Sequence, residues 1–251
     1  MFSSCHIYRN LQQVRQLNKK LSSSSAAWVS KRLHDPYTKL AQENGYRSRA
    51  AYKLKEINKK YYVFDKKKSQ NIVDLGAAPG AWCQVAKEEC NSNSKILGID
   101  LLEINPLRGV SFMQANMLLK STMLAIRDYF NNDVVQKTDD KSLLTVDVVM
   151  SDMLHNLTSI RFKDHLKSVD LCNAGLVVCF NILKPKGSFF CKILAGPDVD
   201  QFVRRCSKLF DNVEKFKPRA CNDSSREFYI VCRNKKDIKI SLKELLKNDQ
   251  Q

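Results

Sequence analysis

Three kinds of segment are missing from the sequence, and each absence excludes a class of protein. No uncharged apolar run approaches the roughly 18 to 20 residues that a transmembrane helix needs, and the most apolar stretch, residues 174–183, contains Asn181. No C-x-x-C pair occurs among the nine cysteines, whose odd number suits free thiols better than a disulfide framework or a zinc ribbon. No internal repeat is visible. We therefore expect a folded protein with neither a membrane span nor a metal site.

Acidic residues are scarce relative to basic ones. The 251 residues include 42 Lys and Arg but only 26 Asp and Glu, which gives a net charge of +16. A basic surface binds polyanions through phosphate contacts and counterion release, so nucleic acid is the expected partner. The alternative is that part of the excess belongs to a leader or to a solvated surface. With 43% hydrophobic residues, the chain can bury one substantial core, which indicates one domain with extensions.

Acidic residues are absent altogether from residues 1–34, which are rich in serine, lysine and arginine. An apolar stripe at helical spacing is formed there by Leu11, Val14, Leu17 and Leu21. This pattern is typical of a mitochondrial transit peptide and predicts a matrix protein; a basic arm that grips RNA is the alternative. The sequence thus predicts a leader over residues 1–27, a domain over residues 28–234 and a basic tail over residues 235–251.

Behind the leader, short apolar strands alternate with helix-length segments. This order predicts an α/β fold, a parallel, doubly wound sheet with helices on its faces. Strands are expected at residues 71–75, 95–100, 110–114, 146–151, 188–194, 213–216 and 228–233. Helices are expected at residues 82–89, 164–183, 201–210 and in the tail over 235–247, with a stop after the second at Lys184-Pro185-Lys186-Gly187.

A glycine-rich turn, DLGAAPGAW at residues 74–82, follows the first strand and opens a helix. Its G-x-x-x-G spacing matches neither the dinucleotide fingerprint nor the phosphate loop, which disfavours NAD and ATP. Gly76 and Gly80 let the backbone approach a ligand, and Asp100 stands at the distance where a ribose diol is usually bound. These features suggest S-adenosylmethionine. The predicted cofactor-binding residues of this region are Asp74, Gly76, Ala78, Pro79, Gly80, Ala81, Trp82 and Asp100.

Five ordered segments resemble the FtsJ family of RNA 2'-O-ribose methyltransferases. They are SRAAYKL at residues 48–54, the glycine-rich turn, SDM at 151–153, FFCK at 189–192 and SREFY at 225–229. The likeness runs from about residue 28 to 233, and residues 28–39 and 98–102 are similar to the mitochondrial large-subunit rRNA branch. The resemblance implies the Rossmann-like class I methyltransferase fold, with a mostly parallel seven-stranded sheet, and S-adenosylmethionine as the cofactor.

The resemblance also implies a catalytic tetrad of Lys53, Asp152, Lys192 and Glu227. Lys192 would be the general base, provided that burial and a neighbouring cation favour its neutral form. Lys53 would be that cation, Asp152 would orient Lys192 near the sulfonium, and Glu227 would hold Lys53 or the hydroxyl. The residues themselves support two of these roles, because Lys192 interrupts an apolar strand and Asp152 follows one.

Two positions depart from the family pattern. Asn116 stands beside the expected adenine, where many relatives have Asp, and its amide can still form hydrogen bonds there. With Asp152, it completes the predicted cofactor-binding set. Leu154-His155-Asn156 replaces the usual Ala-Pro-Asn. We expect His155 to face solvent in a loop.

Basic clusters outside the pocket are expected to line one RNA-facing surface. They are Arg47 with Arg49, Lys59 with Lys60, residues 66–68 and residues 215–219. Tyr61, Tyr62 and Phe64 lie among them and either stack on RNA bases or pack a helix against the sheet.

The expected function is 2'-O-methylation of mitochondrial large-subunit ribosomal RNA, at a uridine by resemblance, by a monomer that acts on the assembling subunit. Two alternatives stay open: a tRNA or cap 2'-O-methyltransferase, and a mainly non-catalytic ribosome-assembly factor. The absence of an N-P-P-[YF] motif argues against methylation of exocyclic base amines.

Overall fold

The computed structural model describes residues 35–131, 144–158, 160–222 and 224–247. The predicted leader lies outside these residues. The chain divides into two compact units, Met1–Gly45 and Tyr46–Gln251. In the first unit, helix α1 spans Pro36–Glu43. Asp35 caps it, because its Oδ1 accepts hydrogen bonds from the N–H groups of Tyr37 and Thr38 at 2.9 and 3.2 Å.

The second unit is an α/β domain built on one seven-stranded sheet. Its elements, in chain order, are α2 (Ala50–Tyr61), β1 (Asn71–Leu75), α3 (Ala81–Glu89), β2 (Lys95–Asp100), β3 (Ser111–Gln114), α4 (Lys120–Asn131), β4 (Val146–Ser151), α5 (Arg161–Ile182), β5 (Leu183–Leu194), α6 (Val199–Leu209), β6 (Phe210–Phe216), β7 (Glu227–Lys235) and α7 (Leu242–Leu246). The strand order is β3-β2-β1-β4-β5-β7-β6. Strands β1 to β5 are parallel, and β7 pairs antiparallel with both β5 and β6. The predicted doubly wound, mostly parallel sheet is confirmed.

The core lies on both faces of the sheet because buried strands carry apolar side chains at successive positions. On β4, Val149 belongs to one apolar cluster while Val148 and Met150 belong to the other. The first cluster includes residues of α4, α5, α6 and α7, and the second includes residues of α2 and α3. On β5, Phe189 and Phe190 divide in the same way, and both are fully buried. This alternation fixes which strand residues point toward α2, where the candidate site lies.

Several boundaries differ from the sequence prediction by one to three residues, and two differences are larger. The helix before β5 ends at Ile182, but residues 184–187 belong to β5 as a bulge: Leu183 pairs with Val146, and the next paired residue, Ser188, faces Val148. The C-terminal tail was expected to be helical over residues 235–247, yet only Leu242–Leu246 is helical.

Lys235, placed in the tail by the sequence, is instead the last residue of β7 and is buried. Its Nζ donates to the carbonyl oxygens of Cys179, Phe180 and Leu183 at 2.9, 3.3 and 2.6 Å. Lys235 therefore satisfies carbonyl groups at the end of α5 and the start of β5, and burial lowers its pKa to about 8.

The eight cysteines in the described part of the chain are free and buried. No helix among the described residues is long and apolar enough to cross a membrane.

Candidate active site

The turn after β1 is built on two glycines in left-handed conformations. Gly76 has a φ of +73° and Gly80 a φ of +104°. A Cβ atom on Gly76 would lie 2.3 Å from Cγ of Met153, and one on Gly80 would lie 2.7 Å from Nη1 of Arg47. Both conformation and space therefore favour glycine, because Met153 and Arg47 pack closely against the turn at the carboxyl edge of β1.

The ends of β2 and β3 bring two more predicted cofactor residues to this edge. Asp100 fastens the turn, because its Oδ2 accepts from the N–H of Ala78 at 2.9 Å and its Oδ1 from the N–H of Leu102 at 2.9 Å. A carboxylate oxygen has a further lone pair, so Asp100 retains capacity to accept from a hydroxyl. Asn116 accepts from the N–H of Leu118 through Oδ1 at 3.0 Å, which leaves its amide NH₂ as an available donor.

A small pocket of about 30 Å³ lies against the glycine-rich turn. Seven of the predicted cofactor-binding residues line it: Asp74, Gly76, Ala78, Pro79, Ala81, Trp82 and Asp152. Gly80, Asp100 and Asn116 are not among its lining residues. The structure thus collects most of the predicted set around one cavity at the carboxyl edge of β1 and β4.

Asp74 is an unsatisfied carboxyl group beside this pocket. It is 1% exposed, its Oδ2 accepts from Sγ of Cys83 at 3.2 Å, and its Oδ1 has no partner. Burial, reinforced by the charges of Asp152 and Asp100 and opposed by the Cys83 thiol, raises the pKa of Asp74 to about 7. An orphaned buried oxygen of this kind suits a ligand that brings a hydrogen-bond donor.

Trp82 contributes to the pocket mainly as a core residue. It is 3% exposed, and its ring packs against Phe190 and Tyr229 with centroid distances of 5.8 and 5.7 Å. Its Nε1–H donates to the carbonyl oxygen of Ala50 at 2.8 Å. Trp82 therefore joins α3 to the first turn of α2, the helix that carries Lys53.

Strand register brings the four charged residues of the tetrad together. Ser151 of β4 pairs with Cys191 of β5, so Asp152 and Lys192 follow side by side, and Lys192 pairs with Tyr229 of β7. Glu227 lies two residues before Tyr229 and so faces the same side of the sheet. Helix α2 covers that side and supplies Lys53.

The four residues form two ion pairs. Nζ of Lys53 lies 2.7 Å from Oε1 of Glu227. Nζ of Lys192 lies 3.0 Å from Oδ1 of Asp152 and also donates to the Asp152 carbonyl oxygen at 2.7 Å. The side chains of both lysines are at most 10% exposed. Each of the two buried lysines thus faces a carboxylate, in keeping with the rule that buried charged groups are paired.

The electrostatics of the cluster fix two of these charges. Burial would raise the pKa of Asp152, but Lys192, Lys53 and the Tyr229 hydroxyl outweigh it and hold that pKa below its usual value. Burial would lower the pKa of Lys53, but Asp152 and Glu227 raise it overall. Asp152 is therefore an anion and Lys53 a cation at neutral pH.

A model of the FtsJ-like methyltransferase family matches residues 46–235. The chain belongs to the FtsJ-like methyltransferase family. The matched range begins just before α2 and ends with β7, so it includes the glycine-rich turn and all four charged residues.

Similar proteins agree with this membership. The chain is 35% identical to "rRNA methyltransferase 2, mitochondrial" of Saccharomyces cerevisiae, over 86% of this chain and 89% of the yeast protein. It is 39% identical to "Ribosomal RNA large subunit methyltransferase E" of Rickettsia akari, over 91% of this chain and 97% of that protein.

Solved structures show the same fold. The crystal structure of a ribosomal RNA methyltransferase from Plasmodium falciparum matches with a TM-score of 0.62 and 29% identity, over 76% of this chain and 98% of that one. Human methyltransferase-like protein 13 in complex with SAH matches with a TM-score of 0.51 and 12% identity, over 78% and 87%. The second likeness shows the class I methyltransferase fold alone.

Two contacts that hold this FtsJ-like site in place were not predicted from the sequence. The hydroxyl of Tyr229 donates to Oδ1 of Asp152 at 2.6 Å. Its position two residues after Glu227 in a strand was a signal that could have found it. The guanidinium of Arg47 donates to the carbonyl oxygens of Pro79, Asn105 and Pro106 at 3.0, 2.7 and 2.7 Å. No sequence signal distinguishes this structural arginine from one that binds RNA.

The basic residues of the predicted RNA-facing surface fall into two groups, those with hydrogen-bond partners within the chain and those exposed without such partners among the described residues. Arg47 and Arg49 are bound within the chain, since Arg49 donates to the carbonyl oxygen of Ala220 and to Oδ1 of Asn222. Lys215 donates to Oδ1 of Asp200, and Lys217 donates to the carbonyl oxygen of Ser225. Exposed lysines of this surface are Lys59, Lys60, Lys66, Lys67 and Lys68, and Lys215 and Lys217 are also exposed despite their partners.

The three aromatic residues of that surface also differ from one another. Tyr61 and Phe64 are buried in the core cluster beside α2, where they pack and are closed to bases. Tyr62 is 83% exposed.

His155 is not the solvent-facing loop residue expected from the sequence. Its side chain is 15% exposed, and its Nε2 lies 3.2 Å from Oδ1 of Asp164. The backbone N–H and hydroxyl of Thr158 donate to the same oxygen at 2.8 and 2.7 Å. These contacts, the Thr158 N–H foremost, hold the pKa of Asp164 at about 2. The departure from Ala-Pro-Asn thus contributes to a tether between the loop after Asp152 and the first turn of α5.

Proposed function

We propose that this protein transfers a methyl group from S-adenosylmethionine to the 2'-hydroxyl of a ribose in mitochondrial large-subunit ribosomal RNA. The observation that carries the proposal is the cluster of Lys53, Asp152, Lys192 and Glu227 beside the glycine-rich turn, in a member of the FtsJ-like family.

The pocket residues fit this cofactor. The pocket lies against the backbone of the glycine-rich turn, and N–H groups at the start of α3 can receive a carboxylate. The unpartnered Oδ1 of Asp74 suits the ammonium group of the methionine moiety. Asp100 would accept from the ribose hydroxyls, and Asn116 would contact the adenine edge. When bound, S-adenosylmethionine supplies an electrophilic methyl group on a positively charged sulfur.

The tetrad residues would prepare the hydroxyl for attack. Lys192 accepts the 2'-hydroxyl proton, for which it must first lose its own. Lys53 and Lys192 both interact with the Asp152 carboxylate and keep its pKa below the usual value. Glu227 fixes Lys53, and Tyr229 fixes Asp152.

The identity of the RNA rests on the relatives and on charge. The yeast and rickettsial relatives are rRNA methyltransferases by name, and the net charge of +16 suits a phosphate-rich substrate. We extend the proposal to a uridine as the modified nucleotide and to a monomer acting on the assembling subunit in the matrix. We also propose residues 1–27 as a transit peptide ahead of the predicted catalytic domain, which extends by one residue to Lys235 because β7 ends there, and a basic tail over residues 236–251.

The test is methyl transfer from labelled S-adenosylmethionine to mitochondrial large-subunit RNA and to pre-ribosomal particles, with tRNA and capped RNA as competing substrates. Lys192→Met should lower the rate by roughly 10²- to 10⁴-fold, the usual contribution of a general base. Lys235→Met is the matched control, because Lys235 is also buried in the sheet but lies outside the candidate site.

Label at one ribose of large-subunit RNA, lost in Lys192→Met and kept in Lys235→Met, would support the reaction and the role of Lys192. Transfer to tRNA or to the cap instead would refute the substrate. Binding of RNA and cofactor without transfer to any of them would refute the enzyme and favour an assembly factor.

A further inference from the structure

A second cleft opens at the edge of the sheet opposite to the candidate active site. It has a volume of about 390 Å³ and is lined where β1 and β4 begin, by residues that include Gln70, Asp147 and Val148. The carboxyl ends of the same two strands carry the candidate site. The cleft is therefore separate from the cofactor pocket and takes no part in the proposed methyl transfer.

Backbone strain concentrates in this cleft. Among the described residues, three that are not glycine have a φ in the left-handed region: Tyr62 at 52°, Lys186 at 64° and Asn234 at 59°. All three line the cleft. Such conformations persist where the surrounding structure holds them, and they cluster at binding sites.

Tyr62 is the least expected of these residues. It caps the C-terminus of α2, where its N–H donates to the carbonyl oxygen of Asn58 at 2.8 Å. Helices favour glycine or asparagine at such a left-handed cap, because other side chains are strained there. The Tyr62 side chain is 83% exposed, so packing within the protein offsets little of the strain. Its ring is presented to solvent at a cost to stability.

The charge of the cleft is positive once internal pairs are removed. Two acidic groups are neutralised within the chain, since Nζ of Lys184 lies 2.9 Å from Asp147 and a guanidinium nitrogen of Arg233 lies 3.0 Å from Glu214. Asp65 is the remaining acidic residue of the lining. Against it stand Lys68 and Lys186, whose exposed ammonium groups have no partner among the described residues, with Lys66 and Lys67 alongside.

We propose that this cleft holds an unpaired part of the RNA substrate, with a base stacked on Tyr62 and phosphates on Lys68 and Lys186. Exposed aromatic rings set among lysines are how proteins bind single-stranded nucleic acid. The inference rests on the proposed function for its choice of RNA.

Helix α2 sets the distance between the two sites. Lys53 lies in its first turn and Tyr62 follows its last residue, nine positions later. At about 1.5 Å per residue this separation is roughly 14 Å, or about four nucleotides at the 3.4 Å spacing of a stacked strand. The base on Tyr62 would therefore lie at least about four nucleotides from the methylated ribose.

RNA affinity, measured by fluorescence anisotropy without cofactor, tests the proposal. Two single strands of large-subunit RNA sequence are compared, one of about four nucleotides and one of about 16, a range that brackets known single-strand sites. Tyr62→Asn keeps the left-handed backbone and removes the ring, and it should weaken binding of the longer strand about tenfold. Tyr62→Phe keeps the ring and should bind like the wild type.

The lysines are tested by salt dependence. A Lys68→Gln, Lys186→Gln double variant should reduce the slope of log affinity against log salt by about 1.4, because each phosphate contact on a single strand contributes about 0.7. Lys243→Gln, an exposed lysine of α7, is the charge control and should leave tight binding of the longer strand intact.

The outcomes separate this inference from the proposed function. If Tyr62→Asn bound the longer strand as tightly as the wild type and still transferred methyl groups, the proposal of RNA binding in the cleft would be refuted and the proposed methyl transfer would be retained. Loss of affinity in a protein that binds RNA but methylates none would support the cleft and refute the enzyme. Unchanged RNA affinity with reduced action on pre-ribosomal particles alone would assign the surface to a protein and refute RNA as its occupant.

Discussion

Asp74 should make the stability of the ligand-free protein fall as pH rises toward neutrality. Its carboxyl group is fully buried, and burial raises its pKa from the ordinary 3.8 to about 7. Between these two values the unfolded chain has lost the proton while the folded chain still binds it. Stability that is present below pH 3.8 is therefore lost as pH rises through 7.

The size of the effect follows from the same two values. Each tenfold change in proton affinity corresponds to about 1.4 kcal/mol, so the full window is worth about 4 kcal/mol. Between pH 5 and pH 8 the loss should be about 3 kcal/mol. The side chain introduced by Asp74→Asn has a similar shape but cannot ionise, so the variant does not lose stability in this way. The free energy of unfolding of the variant minus that of the wild type should therefore increase by about 3 kcal/mol between pH 5 and pH 8.

Urea unfolding of both proteins at pH 5, 6, 7 and 8 measures the effect, and subtracting the two curves cancels every group they share. If the free energies of unfolding of the two proteins changed in parallel with pH, the assignment of a protonated Asp74 in the folded state would be refuted. A second readout concerns the cofactor: stabilisation by saturating S-adenosylmethionine should increase with pH in the wild type, because a cationic ligand favours the ionised carboxylate. Asp74→Asn should remove this increase.

Three further substitutions have defined outcomes. Gly76→Ala should lower the free energy of unfolding by about 1 to 3 kcal/mol, because its Cβ meets Met153 at 2.3 Å in a left-handed backbone; unchanged urea unfolding would contradict this. Lys53→Met should raise the pKa of Asp152, because Lys53 is one of the groups that hold that pKa below its usual value; an unchanged carboxyl titration by NMR would show that Lys53 has no electrostatic role. Tyr62→Asn should raise the free energy of unfolding by about 1 kcal/mol, the scale of left-handed strain in a non-glycine residue; a lower melting temperature would show that the ring is packed.

The sheet was predictable from the sequence because its strands are short, apolar and separated by helix-length segments. Strands β1, β2 and β4 have the predicted bounds. The bulge at residues 184–187 was not predictable, since a Pro-Gly segment between a helix and a strand indicates a turn in either case. The tail was misread because Lys235 has a charged side chain, yet carbonyl groups at the end of α5 provide it with a buried position.

The sequence motifs predicted which residues form the charged cluster, but they did not predict which lysine pairs with which carboxylate. Asp152 and Lys192 become neighbours through the register of β4 and β5, and Lys53 reaches Glu227 only when α2 packs on that face of the sheet. Sequence spacing contains neither fact. Tyr229 joins the cluster by the same register.

Net charge overstates the surface that is available to RNA, and the reason lies in the backbone. A tight turn with little secondary structure leaves carbonyl groups that must find donors. At the glycine-rich turn and the segment after β2, the donor is Arg47, whose guanidinium serves three carbonyl groups at once. Arginine suits this task because its planar fork offers five N–H groups. The Arg47 guanidinium keeps its charge but is held on this turn, so a count of charges overstates the side chains that are available to grip phosphates. The salt dependence of RNA binding should consequently report far fewer phosphate contacts than the net charge of +16 suggests, and the lysines beside Tyr62 should be among them.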